Sequence, residues 1–297
     1  MTTPISAPFS VTVHPFPSST PYSCAYERGP PSARHALVFI GGLTAGPQAM
    51  DLTFIAKVLE SSQALDFSLW EFRMRSSYSG FGYSSLANDV EDMAAFVQYL
   101  RRIGKEKIVL MGSSTGCQDC LEYTNRRKYQ TPSVDGYILM SPISDREAAL
   151  NLFMTPAALE ASILVAKKMI ENGQKEDFMP KAFLPPIFTT PITAYRWHSL
   201  AAKGGDDDYF SSELPNSMLA ATFGHVNKPL LILPSGEDEM VPPTVDRKGL
   251  LDRWIAACGD GVASALSELI PGADHVVSQT CAQKWAAGRV EGFLKSV

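Results

Sequence analysis

Several hallmarks of membrane-anchored, exported and nucleic-acid-binding proteins are missing from this sequence. No apolar run approaches the roughly 20 residues that a membrane-spanning helix requires. Residues 1–20 have neither a basic start followed by an apolar stretch nor an Arg-rich amphipathic pattern, so we expect no secretion or transit signal. Lysine and arginine form no cluster, and the formal net charge of −5 argues against binding to nucleic acid.

Cysteine is also scarce. The chain of 297 residues has five, an odd number at scattered positions: Cys24, Cys117, Cys120, Cys258 and Cys281. This pattern indicates free thiols in a reducing compartment, and we therefore expect a cytoplasmic protein. Since 45% of the residues are hydrophobic, the chain can bury a large core without disulfide or metal staples.

What the sequence does contain is an alternation of short β-rich runs with longer helical patterns. HALVFIGG at 35–42 is nearly all apolar and ends in two glycines, as a buried parallel strand does. SSLANDVEDMAAFVQYLRRIG predicts a helix that is capped by Ser84 or Ser85 and ends at Gly104. The alternation predicts an α/β fold with a mostly parallel central sheet and helices on both faces. Further strands are predicted at 9–14, 24–27, 67–72, 107–112, 134–141, 229–236 and 264–272.

The strand pattern stops within residues 145–225. This stretch has helical patterns, such as TPAALEASILVAKKMIENG at 155–173, and a proline-rich run. Its aromatic and aliphatic content is too high for a disordered segment, and long insertions between strands are commonly functional. We therefore predict an α/β core formed by residues 1–144 and 226–297, with residues 145–225 as a helical cap over the active site.

One motif points to a nucleophile. Gly112-Ser113-Ser114-Thr115-Gly116 matches G-x-S-x-G and lies between the strand pattern KIVLM and the helix pattern CQDCLEYTNRRK. In a nucleophile elbow the serine occupies a sharp strand-to-helix turn, and small residues on both sides let the strand and the helix approach closely. This context predicts an α/β-hydrolase fold with Ser114 as the nucleophile. A glycine-rich loop without catalytic function is the alternative.

A serine hydroxyl needs a general base, and the base needs a carboxylate that orients it. In α/β-hydrolases these residues follow one another along the chain in the order serine, acid, histidine. His275 comes after the last predicted strand and before the terminal helix pattern, which predicts that it is the base. The loop after PLLILPSG supplies Glu237, Asp238 and Glu239. We prefer Asp238, because the run G-x-D-x-x-V-P resembles the acid loop of many α/β-hydrolases, and both glutamates remain alternatives.

The oxyanion that forms during acyl transfer needs two N–H donors. One normally follows the nucleophile, and the other comes from the loop after the strand that precedes the first crossover helix. Thr115 fits the first position, and the loop GGLTAG at 41–46 fits the second. We therefore predict the amides of Leu43 and Thr115 as the oxyanion hole, although the loop by itself would be taken for a simple turn.

Cys117 and Cys120 have the C-x-x-C spacing of redox and metal sites. They begin the helix behind the predicted nucleophile, however, and do not open a thioredoxin-like unit. We therefore expect neither a redox function nor a metal site at this pair.

Asp206, Asp207 and Asp208 form a short acidic run beside glycines in the predicted cap. A hydrated loop is the simplest interpretation. The run could also hold a cationic group of a substrate, or pair with a cap arginine such as Arg196.

Four segments together resemble one family: GSSTGCQDCLEY, SPISDREA, LAAKGGDDDYFSSEL and SGEDEMVPP. From about His35 to its end, the chain resembles the fungal DUF1749 (UPF0613) family of α/β-hydrolases and, within it, the SidJ-type siderophore esterases. The resemblance implies that the protein hydrolyses ester bonds of fusarinine-type ferric siderophores inside the cell and so releases iron. It also implies the catalytic roles of the family for Ser114, Asp238 and His275. Ser113 is a departure, since many hydrolases have histidine before the nucleophile.

The resulting hypothesis is a serine esterase that forms an acyl-enzyme and needs no cofactor or metal. Its partner is a small-molecule ester, and any iron arrives with that substrate. If the substrate is a fusarinine, its free amines would be the cationic groups held by the acidic run. The alternatives are a general carboxylesterase or thioesterase for small acyl groups, and a hydrolase-fold protein that binds a ligand with little turnover.

Overall fold

A computed structural model of the protein describes residues 7–297. Residues 1–6, at the start of the stretch in which no targeting signal is expected, lie outside the described residues. The centre of the fold is a sheet with the strand order β1-β2-β4-β3-β5-β6-β7. Its strands are β1 (Thr12–Pro15), β2 (Cys24–Arg28), β3 (His35–Ile40), β4 (Phe67–Phe72), β5 (Ile108–Ser113), β6 (Gly136–Met140) and β7 (Leu230–Leu233).

The strands of the sheet are mostly parallel. β4, β3, β5, β6 and β7 run in the same direction, whereas β1 and β2 form an antiparallel edge beside β4. Every residue of β3, β5, β6 and β7 is buried. Continuous apolar runs are expected of parallel strands that are covered on both faces, and the mostly parallel sheet predicted from the sequence is confirmed.

The α-helices of residues 7–297 connect and cover these strands. They are α1 (Thr53–Ser61), α2 (Leu86–Arg102), α3 (Gly116–Tyr123), α4 (Asp145–Leu152), α5 (Pro156–Glu171), α6 (Ala194–Ala201), α7 (Asn216–Phe223), α8 (Arg247–Ala257) and α9 (Thr280–Ser296). α2 begins as predicted, because Ser85 Oγ accepts a hydrogen bond from Asn88 N at 3.2 Å. In the described part of the chain, no helix combines the length and the apolar character needed to cross a bilayer.

The alternation of side chains along β3 directs them into two separate cores. Ala36, Val38 and Ile40 pack on one face of the sheet with residues of α2, α3 and α8. Leu37 and Phe39 pack on the opposite face with residues of α1 and α9. Helices therefore cover both faces of the sheet, as the sequence predicts.

The strand predicted at 264–272 is wrong. This segment runs beside β7 without joining the sheet as a strand. The isolated bridges there pair Leu230 with Ala263, just before the segment, and Ile270 with Ser235, just after β7. The physical reason is a turn in which Ser267 N donates to Ser264 O at 3.0 Å. The Ser267 hydroxyl, and not a backbone carbonyl, then accepts the hydrogen bond of Ile232 N. The regular ladder is interrupted there, so the segment does not become a strand.

Residues 145–225 contain α4 to α7 and no strand of the central sheet. α4, α5 and α6 pack against one another around an apolar cluster that includes Trp197. Phe210 and Phe223, by contrast, pack in the same cluster as the sheet. We therefore propose that the cap ends near Gly205 and that the rest of the predicted insertion belongs to the core.

Candidate active site

Ser114 lies on a sharp turn between β5 and α3. Its φ of 55° is in the left-handed region, which is uncommon for a residue other than glycine. A Cβ at Gly112 would lie 2.2 Å from Gly116 O, and a Cβ at Gly116 would lie 2.2 Å from Ile40 O. Both positions require glycine because the backbones of β3, β5 and α3 meet there. This is the close approach that the G-x-S-x-G pattern predicts.

The structure brings Ser114, His275 and Asp238 together in a row. Ser114 Oγ is 2.9 Å from His275 Nε2, and His275 Nδ1 is 2.9 Å from Asp238 Oδ2. The two alternative acids, Glu237 and Glu239, are exposed. Glu239 contacts only the backbone of the histidine, since its Oε2 accepts a hydrogen bond from His275 N at 2.8 Å. Of the three acids in this loop, Asp238 is therefore the one that contacts the imidazole ring.

The surroundings of Asp238 and His275 favour a basic imidazole. Asp238 is only 1% exposed, and its Oδ1 accepts a hydrogen bond from Met240 N at 2.9 Å. Burial by itself lowers the pKa of His275. The hydrogen bond and the charge of Asp238, with contributions from Glu239 and Asp145, outweigh burial and raise the pKa above its ordinary value. With Nδ1–H directed at the carboxylate, Nε2 can accept a proton from the serine hydroxyl.

The two amides predicted for the oxyanion hole flank Ser114. Thr115 follows it directly, and Leu43 lines the same cavity as Ser114 from the loop after β3. Within residues 7–297, neither Leu43 N nor Thr115 N donates a hydrogen bond to the protein. The loop touches the serine, because a Cβ at Gly42 would lie 2.6 Å from Ser114 Cβ and 3.1 Å from Ser114 Oγ. No protein acceptor among residues 7–297 therefore competes with a ligand oxygen for either N–H group.

The close contact at Gly42 leads to a prediction. Gly42→Ala is expected to lower kcat for a p-nitrophenyl ester by about 10²- to 10³-fold, comparable with the loss of one oxyanion donor. The added methyl group must displace either Ser114 or the loop that carries Leu43. Gly288→Ala in α9 is the matched control, since a Cβ there meets nothing within 4 Å and kcat should be retained. An unchanged kcat for Gly42→Ala would contradict a role of this loop in the oxyanion hole.

A cavity of about 320 Å³ lies beside Ser114 and His275. Its wall is formed by loops at the carboxyl ends of the strands and by segments of the predicted cap. The cavity therefore lies between the core and the cap. Most of the lining is apolar, and its larger apolar side chains are Leu43, Ile143, Phe153, Ile187, Phe188, Trp197, Leu200 and Met240. Among the described residues that line this cavity, Asp145 is the carboxylate.

Asp206, Asp207 and Asp208, which the sequence suggested as substrate-binding residues, are not among the residues that line this cavity. Asp207 is buried, and both of its carboxylate oxygens accept hydrogen bonds from Arg196 Nη1, at 2.8 and 2.7 Å. Asp206 is exposed and accepts a hydrogen bond from the Tyr195 hydroxyl. Asp208 accepts a hydrogen bond from a backbone amide. Asp207 therefore pairs with Arg196, which was one of the interpretations offered by the sequence. The contacts of the three aspartates hold the loop that follows α6 in place.

Cys117 and Cys120 are buried in α3, behind Ser114. Burial raises the pKa of both thiols well above its ordinary value. The Cys117 thiol donates to Gly112 O and Met140 O, both at 3.3 Å. Neutral thiols in such surroundings pack like small apolar side chains. In the part of the chain that the structure describes, no three His, Cys, Asp or Glu side chains are grouped as a metal site requires.

Sequence reasoning misses Asp145, the first residue of α4. Gln118 Nε2 donates to Asp145 Oδ2 at 2.8 Å, and Thr115 Oγ1 donates to Asp145 Oδ1 at 3.4 Å. Burial, together with the negative charge of Asp207, raises the pKa of Asp145 to about 7. The sequence does contain one indication that Asp145 lies near the active site, namely its position shortly after β6. Ligands of open α/β sheets bind beyond the carboxyl ends of the strands.

The family described as "Protein of unknown function (DUF1749)" matches residues 2–295. The chain belongs to this family. A relative named fusarinine C esterase sidJ, from Aspergillus fumigatus, is 29% identical over 318 residues, with 89% of each chain covered. Esterase AN6793 from Emericella nidulans is 32% identical over 328 residues, which cover 89% of this chain and 86% of the relative.

A solved structure with a related name is also similar to this chain. Siderophore hydrolase EstB from Aspergillus fumigatus superposes on this DUF1749 protein with a TM-score of 0.80 and 28% identity, over 98% of this chain and 99% of that one. The protein has the α/β-hydrolase fold that the sequence predicts. It is a carboxylic ester hydrolase.

Proposed function

We propose that this DUF1749 protein is a serine esterase in which Ser114 is the nucleophile, His275 the general base and Asp238 the orienting acid. The observation that carries the proposal is the unbroken row of these three side chains, with 2.9 Å at each contact. A hydroxyl in such a row becomes a nucleophile because the imidazole accepts its proton as the new bond forms.

In this proposal each step of ester hydrolysis is carried out by a named group of the site. Ser114 Oγ attacks the ester carbonyl while His275 Nε2 takes its proton. The amides of Leu43 and Thr115 donate to the oxyanion, and Asp238 stabilises the imidazolium while staying ionised itself. His275 then protonates the leaving alcohol, and afterwards it activates the water that releases the acyl group from Ser114.

As substrate we propose the ester bonds of fusarinine-type siderophores, which the protein would cleave inside the cell to release iron. Two similar proteins support this choice, since one is named fusarinine C esterase and the other siderophore hydrolase. A cavity of about 320 Å³ is within the usual range for a small-molecule site and would accept one arm of such a substrate. The iron belongs to the substrate, where the hydroxamates of the siderophore hold it.

Mass spectrometry of ferric fusarinine C after incubation with the purified protein tests this proposal. We expect linear fusarinine products from the wild type and none from Ser114→Ala in parallel. No cleavage by the wild type would overturn the siderophore as substrate. Equal cleavage by both proteins would overturn Ser114 as the nucleophile.

The apolar wall of the cavity favours a second candidate, a general carboxylesterase or thioesterase for small acyl groups. Phe153, Ile187 and Phe188 would hold an aliphatic acyl chain by burial alone. A kcat/KM for p-nitrophenyl butyrate well above that for fusarinine C would support this candidate. The reverse order would support the siderophore.

A further inference from the structure

The proposed mechanism does not use the carboxylate of Asp145, although this group lies in the wall of the cavity beside Ser114. Its hydrogen bonds come from α3 and from the turn before it, through Gln118 Nε2 at 2.8 Å and Thr115 Oγ1 at 3.4 Å. A carboxylate has about four acceptor positions, so these two donors leave capacity on both oxygens. Asp145 can therefore accept further hydrogen bonds from a molecule in the cavity.

Asp145 also lacks an ion-pair partner among residues 7–297, as no lysine, arginine or histidine lies within 4.0 Å of its carboxylate. Arg196 and His275 are the cationic groups whose charges lower the pKa of Asp145 from a distance. The guanidinium of Arg196 is already engaged, since Nη1 donates to Asp207 and Nε donates to Phe81 O at 3.1 Å. A partly buried carboxylate without a neighbouring cation is unfavourable, and a ligand cation placed beside it removes part of that cost.

The surroundings of the carboxylate would strengthen such a pair. Ile143, Ala148 and Ala149 line the cavity with it and offer no competing hydrogen bonds from their side chains. Charges attract more strongly where apolar groups exclude water. Through Thr115, which directly follows Ser114, the carboxylate is also tied to the turn on which the ester would react.

We propose that Asp145 forms a subsite for a primary ammonium group of the substrate, so that the enzyme selects esters with an amine a few bonds from the scissile carbonyl. The inference rests on the proposed esterase function and deepens it, because it names the substrate class of the same cavity. On this proposal, a cationic group of the substrate is bound by Asp145 in the cavity wall beside Ser114. The acidic run Asp206 to Asp208 is outside that wall.

Pairs of esters that differ only by an ammonium in place of a methyl group test the subsite. Ethyl β-alaninate is compared with ethyl butanoate, and ethyl 6-aminohexanoate with ethyl heptanoate, at about pH 8, where Asp145 and the amine are both charged. For at least one pair we expect a kcat/KM about 10- to 100-fold higher for the ammonium ester, the range of one hydrogen bond to a charged group. Asp145→Asn should bring this ratio close to one. Asp206→Asn is the matched control and should keep it, because Asp206 is exposed and outside the cavity.

The outcomes separate the subsite from the esterase function. A wild type that hydrolyses both esters of each pair equally well, or an Asp145→Asn variant that keeps the preference, would overturn the subsite alone. A wild type that hydrolyses none of the esters would contradict the esterase function, and the subsite is then judged by binding. Calorimetry should show Ser114→Ala preferring the ammonium ester, and the added Asp145→Asn change should remove that preference. Equal preferences in these two variants would overturn the subsite.

Discussion

Ser114→Ala is expected to lower kcat for ester hydrolysis by about 10⁶-fold, as loss of the nucleophile does in serine hydrolases of similar design. Ser114 Oγ is the atom that His275 Nε2 contacts, at 2.9 Å. Without it, water must attack the ester in an orientation that the site does not fix. Activity that persists would come from the oxyanion donors and from binding, which are worth about 10³- to 10⁴-fold over water. Steady-state kinetics with p-nitrophenyl butyrate measures the loss.

Ser113→Ala is the matched control for this experiment. Ser113 is the last residue of β5 and is 2% exposed, so the change removes one buried hydroxyl directly beside the nucleophile. Its kcat is expected to stay within about threefold of the wild type, less than 1 kcal/mol of barrier. A fluorophosphonate probe should label the wild type and Ser113→Ala but not Ser114→Ala. Labelling of Ser114→Ala at another serine would point to a different nucleophile.

The location of Ser114 could be predicted because its requirements are local. A strand, two glycines and a helix lie within a short stretch of sequence, and the structure shows the backbone approach that makes Gly112 and Gly116 necessary. His275 lies far along the chain, but its position after the last strand pattern brings it to the same edge of the sheet. The predicted location of His275 holds although residues 264–272 do not form the predicted strand, because this segment still runs beside β7.

The acidic run shows what sequence cannot provide. Asp206, Asp207 and Asp208 are chemically identical neighbours, yet Asp207 is buried against Arg196 while Asp206 is exposed. Which of them turns inward depends on where α6 packs, and a local pattern does not contain that information. Asp145 is missed for a similar reason. Its partners Thr115 and Gln118 are close in space but about thirty residues away in sequence.

The acid loop after β7 poses the same problem with three adjacent carboxylates, and here the structure separates them. Asp238 is 1% exposed and reaches His275 Nδ1, whereas Glu237 and Glu239 are exposed. Glu239 still touches the histidine, through His275 N at 2.8 Å. A role for Glu239 would therefore lie in holding the backbone in place. Asp238, by contrast, can select the tautomer of the ring and stabilise its positive charge.

Asp238→Asn is accordingly expected to lower kcat by about 10⁴-fold with little change in shape, because an amide that donates to Nδ1 leaves the proton on Nε2, where the serine needs an acceptor. Glu239→Gln is the matched control, since it removes a charge beside the same histidine but keeps an oxygen for His275 N. We expect its kcat to fall by no more than about tenfold, or 1.4 kcal/mol. Both values come from steady-state kinetics on one ester. A larger loss in Glu239→Gln than in Asp238→Asn would transfer the role of orienting acid to Glu239.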